Sequence, residues 1–170
     1  MKRRDHPAQG EPVGVDSTFP ELAPGRSTLY RAHTWRPDSV DGGCWFFSGV
    51  PSNHGSGGRF DLEKPRGTCY WSTSELGAAR ERLGRPGDLV AHDEVDGAVV
   101  SVSSFDPGGL ADLTATDAAR RGVTAELSAS SPYGLSQRWA AAFWYARFDG
   151  VHYRSRFSTD DACVVALFGD

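Results

Sequence analysis

The sequence predicts a single α+β domain in which short mixed or antiparallel strands combine with two or three helices. Its 170 residues, of which 39% are hydrophobic and 24% charged, match the size and composition of one soluble domain. Short runs with alternating apolar side chains, bounded by Gly, Pro and Asp, recur along the chain and indicate strands. Apolar residues at helical spacing in the last third indicate a well-formed helix, so both element types contribute to one core.

Charge and cysteine content exclude several classes of function. The formal net charge of -4 at pH 7 argues against nucleic acid as a direct partner, because phosphate binding requires clustered Lys and Arg. No apolar run is long enough to span a membrane, and no apolar stretch of a secretion signal follows the basic start. Cys44, Cys69 and Cys163 cannot all pair in disulfides and are too widely spaced for a zinc site. We therefore expect a cytoplasmic protein without a bound metal.

The chain divides into residues 1–26, predicted to form a flexible N-terminal tail, and residues 27–170, predicted to form the folded domain. The tail is rich in Pro, Gly and charged residues, so it buries too little apolar surface to offset its ordering entropy. Its candidates for docking on the domain surface are Val13, Val15 and Phe19.

Two strands and a long loop are predicted at the start of the domain. Ser27–His33 alternates in the manner of a strand, and Thr68–Ser72 forms the next one. Between them, Asp41–Phe60 is Gly-rich and is predicted as an ordered loop with a short strand in it. His54 in this loop is the histidine whose binding role is most worth testing, since the others are scattered without the spacing of a metal pair.

A helix is predicted directly after the second strand. Ser72 and Glu75 fit a capping box that begins it. Gly84, followed by Pro86, ends it. The residues at helical spacing that would form its buried face are Leu76, Ala79 and Leu83.

A strand pair and a short helix are predicted in the middle of the chain. Asp88–His92 and Ala98–Phe105 form the pair, which is joined through the turn signal Asp96-Gly97. Thr114–Arg121 is predicted as a short helix.

The strongest predicted helix and two closing strands follow. Ser131 as the cap and Pro132 at the first helical position begin the helix. The strands are predicted at Val151–Ser155 and Cys163–Phe168. The apolar face of the helix consists of Leu135, Trp139, Ala142, Phe143 and Ala146.

Two charged residues are candidates for binding or catalysis. Arg31 lies mid-strand between Tyr30 and Ala32, where an inward guanidinium is costly unless it meets an anion such as a diphosphate. A buried ion pair or an exposed edge position would also explain it. Glu81 lies away from the apolar stripe of its helix, and Gly77 one turn earlier leaves space for a ligand. The alternative is a solvent-facing carboxylate that pairs weakly with neighbouring arginines.

Other polar and aromatic residues complete the set of candidates. Ser155 ends a strand without the context of a serine nucleophile, which leaves hydrogen bonding to a phosphate or ribose oxygen, or capping of a turn. Arg59 follows Ser56-Gly57-Gly58, where backbone amides can approach an anion. Tyr30 and Tyr70 offer core packing or stacking on a flat cationic ring such as nicotinamide.

These residues, in this order, resemble the RES domain, a bacterial family named for its Arg, Glu and Ser. The resemblance runs from about Leu29 to Phe168, and Asp61 stands where the family pattern leads us to expect Asn or a similar amide. The segments that carry it are Leu29-Tyr30-Arg31, Gly58-Arg59-Phe60-Asp61, Gly67-Thr68-Cys69-Tyr70-Trp71 with the following helix, and the run from Asp149 to Arg156.

The resemblance implies an ADP-ribosyltransferase-like fold and an enzyme that breaks the nicotinamide–ribose bond of NAD through an oxocarbenium-like transition state. Arg31 would bind phosphate, Glu81 would engage the ribose, and Ser155 would hydrogen-bond near the reacting bond. Water, inorganic phosphate or a protein side chain as acceptor would define a glycohydrolase, a phosphorylase or an ADP-ribosyltransferase; we favour NAD degradation. The residues implied to shape the pocket are Tyr30, Arg59, Tyr70 and Tyr153.

The resemblance also implies a toxin of a toxin–antitoxin pair, with a helix-turn-helix antitoxin of the Xre type as partner. The sequence leaves a homodimer open. A competing interpretation is a nucleotide- or protein-binding module without turnover, in which Glu81 is merely solvated. A third is an assembly protein that uses the aromatic run Trp45-Phe46-Phe47 as an interface.

Overall fold

Six strands form one mixed sheet in the order β3-β1-β2-β6-β5-β4. The computed structural model describes residues 9–51, 57–84, 90, 92–158 and 160–169. Neighbouring strands are antiparallel except β4 and β5, which are parallel, so the predicted α+β class is confirmed. The elements are β1 (Ser27–Thr34), β2 (Gly67–Ser72), α1 (Glu75–Leu83), α2 (His92–Val95), β3 (Ala98–Phe105), β4 (Leu110–Asp112), α3 (Thr116–Arg120), α4 (Ala125–Ala129), α5 (Gly134–Tyr145), β5 (Gly150–Arg154) and β6 (Cys163–Gly169).

The sheet separates two apolar clusters. Side chains of β6 alternate between them, with Val164 in the first cluster and Val165 in the second, as the two-residue period of a strand requires. Helix α5 covers the first cluster. Its large buried members include Phe60, Trp139, Phe143, Phe148 and Tyr153. The second cluster comprises Leu29, Cys69, Trp71, Leu110, Val165 and Leu167.

Helix α1 begins later, and buries a different face, than the sequence predicts. Its N-cap is Ser74, whose Oγ accepts the Gly77 N–H at 2.9 Å, and not Ser72. Its buried residues are Gly77 and Ala78, whereas Leu76 is 55% exposed, so the predicted apolar stripe is wrong. The physical reason is close approach: a Cβ on Gly77 would lie 2.5 Å from Ser72 Oγ, so only small residues fit against the sheet.

The second half of the chain also departs from prediction at its boundaries. Helix α5 begins at Gly134 with Tyr133 as its N-cap residue, so the predicted start at Ser131 and Pro132 is wrong. The strand predicted at Asp88–His92 lies mostly outside the described residues, and His92 itself begins α2. Strand β4 and helix α4 are too short for a periodic pattern and have no counterpart among the predicted elements. None of the helices in the described part of the chain has the length and hydropathy of a membrane span.

Two residues of the segment 9–26, Gln9 and Phe19, are buried against the domain, although composition predicts a flexible tail there. Phe19 is 3% exposed and contacts Phe143 edge-on with ring centroids 4.9 Å apart. The Gln9 side chain accepts the Thr124 N–H at 2.7 Å, and the Trp139 indole donates to the Gly10 carbonyl at 2.9 Å. One deeply buried ring and several hydrogen bonds therefore order a segment whose average composition is polar.

Replacing Phe19 with Ala is expected to destabilise the protein by about 3–5 kcal/mol, because it empties a fully buried aromatic site in the first cluster. Chemical denaturation would measure the loss. Val13→Ala in the same segment is the control, since Val13 is 79% exposed. Equal stability of the two variants would mean that the segment does not contribute to the core in solution.

Candidate active site

A cleft of about 710 Å³ opens on the first-cluster face of the sheet, a volume typical of small-molecule sites. Helix α1 forms one wall, and the turns after β5 and before α5 form another. Every predicted site residue except Ser155 lines the cleft, and Ser155 reaches it through a hydrogen bond to a lining residue. The predicted residues in the lining are Tyr30, Arg31, Arg59, Tyr70, Glu81 and Tyr153.

Glu81 and Ser155, which are 74 positions apart in sequence, meet in this cleft. Ser155 Oγ donates to Glu81 Oε1 at 2.5 Å and accepts the Phe157 N–H at 3.1 Å, which holds the hydroxyl in place. Helix α1 presents Glu81 on the same face as Gly77, one turn earlier, because residues four apart lie above one another. Because this face of the helix carries no large apolar residue, the spacing of the apolar side chains predicted the wrong face as the buried one.

Burial of the Glu81 carboxyl raises its pKa, and the Ser155 hydrogen bond and the charges of Arg59 and Arg156 oppose this shift. The arginines adjacent in sequence have other partners: Arg80 pairs with Asp160, and Arg82 donates to Thr34. In the structure, Glu81 is therefore not the solvent-facing carboxylate that the sequence left open as an alternative.

Arg59 is the most deeply buried cation of the cleft, at 7% exposure. Its Nη1 donates to the Ser130 carbonyl at 2.8 Å and the Leu127 carbonyl at 3.3 Å. Its Nη2 is buried without a hydrogen-bond partner among the described residues. Burial lowers the pKa of Arg59, opposed mainly by Tyr153 and Tyr133. A buried guanidinium with a spare donor is suited to an anionic ligand.

Tyr133 and Arg156 extend this cationic wall, although the sequence predictions did not include them. The Tyr133 ring lies 4.6 Å from the Arg59 guanidinium and 5.6 Å from that of Arg156. Arg156 also donates to the Tyr133 hydroxyl at 2.9 Å. Sequence signals existed for both, because Arg156 ends the segment that carries Ser155, and Tyr133 lies in an unusually aromatic and Arg-rich stretch.

Asp61 organises the turn that positions Arg59. Its carboxylate accepts the Gly58 N–H at 2.8 Å, the Tyr70 hydroxyl at 2.7 Å and the Ser48 hydroxyl at 3.0 Å. Asp61 is 1% exposed, and burial raises its pKa against the effect of these three donors. Because every partner donates, an acceptor-only carboxylate satisfies this position, which explains Asp where the family pattern suggested an amide.

The tyrosines divide into structural and ligand-facing roles. Tyr70 accepts the Phe60 N–H at 2.9 Å while it donates to Asp61, so its hydroxyl belongs to the turn. Tyr153 is 2% exposed and packs edge-on against Phe60 at 4.8 Å. Burial, followed by the nearby Glu81 charge, raises the pKa of Tyr153 well above its ordinary value, so its hydroxyl stays protonated beside the carboxylate. Tyr30 lines the cleft from β1.

Arg31 borders the cleft, but its guanidinium bonds on the other side of the sheet. It donates to the Cys69 sulfur, which belongs to the second cluster, and to the Phe46 carbonyl at 2.8 Å. The cations that act on Glu81 are Arg59 and Arg156 instead. Binding of phosphate by Arg31 therefore stays a prediction, and it would require the side chain to exchange these two partners for a ligand.

No histidine in the described residues lines the cleft. His54 and Ser56 lie outside the described residues. His33 hydrogen-bonds to Ser101 at 2.8 Å, and His152 pairs with Asp112 at 2.9 Å. Within the described ranges, no group of three or more His, Cys, Asp or Glu side chains is arranged to hold a metal ion.

The Arg156→Gln variant is expected to raise the pKa of the Glu81 carboxyl further, because it removes a cation that stabilises the ionised form. Carboxyl-resolved NMR titration of both proteins would measure the difference. Arg120→Gln, which alters an exposed ion pair with Asp117, is the control and should leave the Glu81 titration unchanged. An unchanged or lowered pKa in the Arg156 variant would contradict this electrostatic description.

Comparison with known proteins identifies the class to which this fold and cleft belong. The family model for the RES domain matches residues 28–169, and the chain belongs to this family. Among solved structures, the fold is similar to a chain of the crystal structure of the M. tuberculosis MbcT–MbcA toxin–antitoxin complex. The match has a TM-score of 0.61 and 17% sequence identity, and it covers 86% of this chain and 77% of that one. No curated protein matches this sequence.

Proposed function

We propose that this protein cleaves the nicotinamide–ribose bond of NAD, with water or inorganic phosphate as the acceptor. The observation that carries the proposal is the Glu81 carboxylate, held by Ser155 inside a cleft where the charges of Arg59 and Arg156 act on it. A fixed carboxylate beside the ribose stabilises the positive charge of the oxocarbenium-like transition state. Nicotinamide already carries positive charge in NAD and leaves as a neutral molecule, so no proton donor is required.

The anionic part of NAD is assigned to the wall formed by Arg59 and Arg156. The spare Arg59 Nη2 and the Arg156 guanidinium supply donors for the diphosphate, and Tyr133 between them keeps both oriented. Holding the diphosphate in this way orients the ribose toward Glu81 and reduces the entropy cost of reaching the transition state. Tyr30 and Tyr153 provide the aromatic surfaces for the nicotinamide.

The proposed biological role is the toxin of a toxin–antitoxin pair in the cytoplasm, with a helix-turn-helix antitoxin as partner. Membership in the RES domain family and the similarity to a chain of a toxin–antitoxin complex support this role. NAD depletion would account for growth inhibition, and an antitoxin would keep the cleft inaccessible until it is removed.

The decisive experiment incubates the purified protein with NAD, with and without inorganic phosphate, and measures released nicotinamide. Mass spectrometry of the other product separates ADP-ribose, its phosphorylated form and ADP-ribose attached to protein. Release of nicotinamide with a soluble ADP-ribose product is expected. Attachment to protein would indicate an ADP-ribosyltransferase, and no release from folded protein under either condition would favour a binding module without turnover.

A further inference from the structure

Helix α5 buries an amide side chain that reaches the turn before Arg59. Gln137 is 1% exposed and is buried together with large apolar residues of the same helix such as Trp139 and Phe143. An amide in such surroundings lowers stability unless it is hydrogen-bonded, so its partner indicates what the side chain does. Its Nε2 donates at 3.0 Å to the carbonyl of Gly58, which lies 79 positions earlier in the chain.

Gly58 has hydrogen bonds on both of its backbone groups. Its N–H donates to the Asp61 carboxylate at 2.8 Å, and its carbonyl accepts the Asp61 N–H at 3.3 Å in addition to the Gln137 amide. A Cβ at this position would lie 2.7 Å from the Tyr70 hydroxyl, so no larger residue fits between the turn and the sheet. The Gln137 hydrogen bond therefore connects a tightly enclosed turn, which carries Arg59, to helix α5.

The same part of the chain also holds the side chain of Arg59. Two backbone carbonyls at the end of α4 accept hydrogen bonds from its Nη1, and the Tyr133 ring lies 4.6 Å from its guanidinium. Tyr133 lies one helical turn before Gln137, and the Gln137 N–H donates to the Tyr133 carbonyl at 2.9 Å. The segment from the end of α4 through the first turn of α5 therefore contacts Arg59 at its guanidinium and, through Gly58, next to its backbone. The Arg59 Nη2, which has no hydrogen-bond partner among the described residues, is left for an anion.

We propose that Gln137 is a positioning residue for the NAD diphosphate, which holds the Gly58 backbone so that the Arg59 guanidinium meets the ligand at hydrogen-bonding distance. This role rests on the proposed function, in which Arg59 binds the diphosphate. Gln137 does not line the cleft, so its effect on the ligand passes through Gly58 and Arg59. Because a charge-assisted hydrogen bond needs a short distance and a fixed direction, a small displacement of the turn weakens it.

Gln9 provides a matched comparison, because it is the same side chain in the same kind of hydrogen bond. It is 8% exposed, and its Nε2 donates at 2.9 Å to the carbonyl of Gly122, another glycine that is distant in sequence. This bond joins the N-terminal segment to the chain just after α3, and neither residue lines the cleft. If a buried glutamine served stability alone, loss of either side chain would have the same effect on ligand binding.

The first test replaces each glutamine with Met, which has nearly the same size and cannot donate a hydrogen bond. The ligand is ADP-ribose, which retains the diphosphate of NAD and is not cleaved. In calorimetric titration, Gln137→Met should bind ADP-ribose about tenfold more weakly than wild type, whereas Gln9→Met should stay within about twofold. Gln137→Asn, whose amide is one methylene shorter, should show the same loss and serves if the Met variant melts below the assay temperature. Wild-type affinity in folded Gln137 variants, or equal losses in the Gln137 and Gln9 variants, would overturn the proposal.

A double-mutant cycle decides whether Gln137 acts through Arg59. Arg59→Lys keeps the positive charge but loses the planar pair of donors, and it should weaken ADP-ribose binding by about tenfold. Because a mispositioned guanidinium matters only while the guanidinium is present, adding Gln137→Met to Arg59→Lys should change the affinity by no more than about twofold. Losses that multiply, to about a hundredfold in the double variant, would mean that Gln137 acts independently of Arg59 and would overturn the proposal.

Hydrogen exchange of the ligand-free protein tests the turn independently of the proposed function. The amides of residues 58–61 should exchange at least about tenfold faster in Gln137→Met than in wild type, and at the wild-type rate in Gln9→Met. Unchanged exchange in Gln137→Met would show that Gln137 does not hold the turn. A wild type that binds ADP-ribose but releases no nicotinamide from NAD would refute the proposed cleavage and leave the role of Gln137 intact. A wild type that binds no ADP-ribose would refute the assignment of the diphosphate to Arg59, and with it this role of Gln137.

Discussion

Glu81→Gln is expected to reduce nicotinamide release from NAD by about a hundred- to a thousandfold, the loss typical when one electrostatic stabiliser of a transition state is removed. Gln has the same size as Glu and can still accept the Ser155 hydroxyl, so the cleft keeps its shape while the negative charge is lost. The effect should therefore appear in kcat, with NAD affinity nearly unchanged.

The control for this variant is Glu75→Gln, in the first turn of the same helix, where the side chain is exposed. It should retain the wild-type rate, which would show that helix α1 tolerates loss of a carboxylate elsewhere. Calorimetric titration with NAD would separate binding from turnover. An active Glu81→Gln variant would remove the carboxylate from the mechanism, and the two arginines would then have to account for catalysis by themselves.

Asp61→Ala is expected to lower the free energy of unfolding by about 3 kcal/mol or more, because three partly buried donors lose the carboxylate of a buried residue at once. The groups left without it are the Gly58 N–H, the Tyr70 hydroxyl and the Ser48 hydroxyl. For a chain of this length such a loss lowers the melting temperature by about 6–12 °C. Calorimetry would measure it, and nicotinamide release should fall as well, since the turn that carries Arg59 loses its support.

Asp61→Asn is the matched comparison, and its stability should depend on pH differently from that of the wild type. Burial raises the pKa of Asp61 in the folded protein above the ordinary value of 3.8, so the folded state binds a proton more readily than the unfolded state. As the pH falls through the folded-state pKa of Asp61 toward its unfolded-state pKa, the free energy of unfolding of the wild type therefore increases. The Asp61→Asn variant has no such increase. Asp106→Ala provides the control, because the Asp106 carboxylate is exposed and accepts the Gly108 N–H at 3.1 Å. Equal melting temperatures for Asp61→Ala and Asp106→Ala would contradict the role of the Asp61 network.

The correct predictions from sequence rest on local patterns. Strands β1, β2, β5 and β6 carry alternating or continuously apolar residues bounded by turn signals, and each predicted bound lies within one residue of the observed one. The ordered segments that resemble the RES domain also led to the prediction that Arg31, Glu81 and Ser155 share one site, and in the structure Glu81 and Ser155 are in contact. These signals are readable because side-chain alternation and turn chemistry are properties of short stretches.

The errors share one cause, which is that contacts between distant segments override local patterns. Helix α1 buries Gly77 and Ala78 because the sheet approaches closely there, and no property of the helix alone reveals this. Phe19 orders a polar segment because its partners, Phe143 and Phe148, are more than a hundred residues away in sequence. Tyr133 becomes a site residue only because the turns before α5 and after β5 meet.

The sequence by itself determined the α+β class and the family, because these depend on ordered local motifs, whereas the hydrogen bond between Glu81 and Ser155 appears only in the structure. Only the tertiary structure decided which cations face that carboxylate. Arg31 alternates onto the opposite side of β1 and bonds to Cys69 and Phe46, whereas Arg59 and Arg156 converge on Glu81. The physical reason is that charge acts over distances of a few ångströms in space, and the distances between these residues are set by the packing of the sheet and its turns.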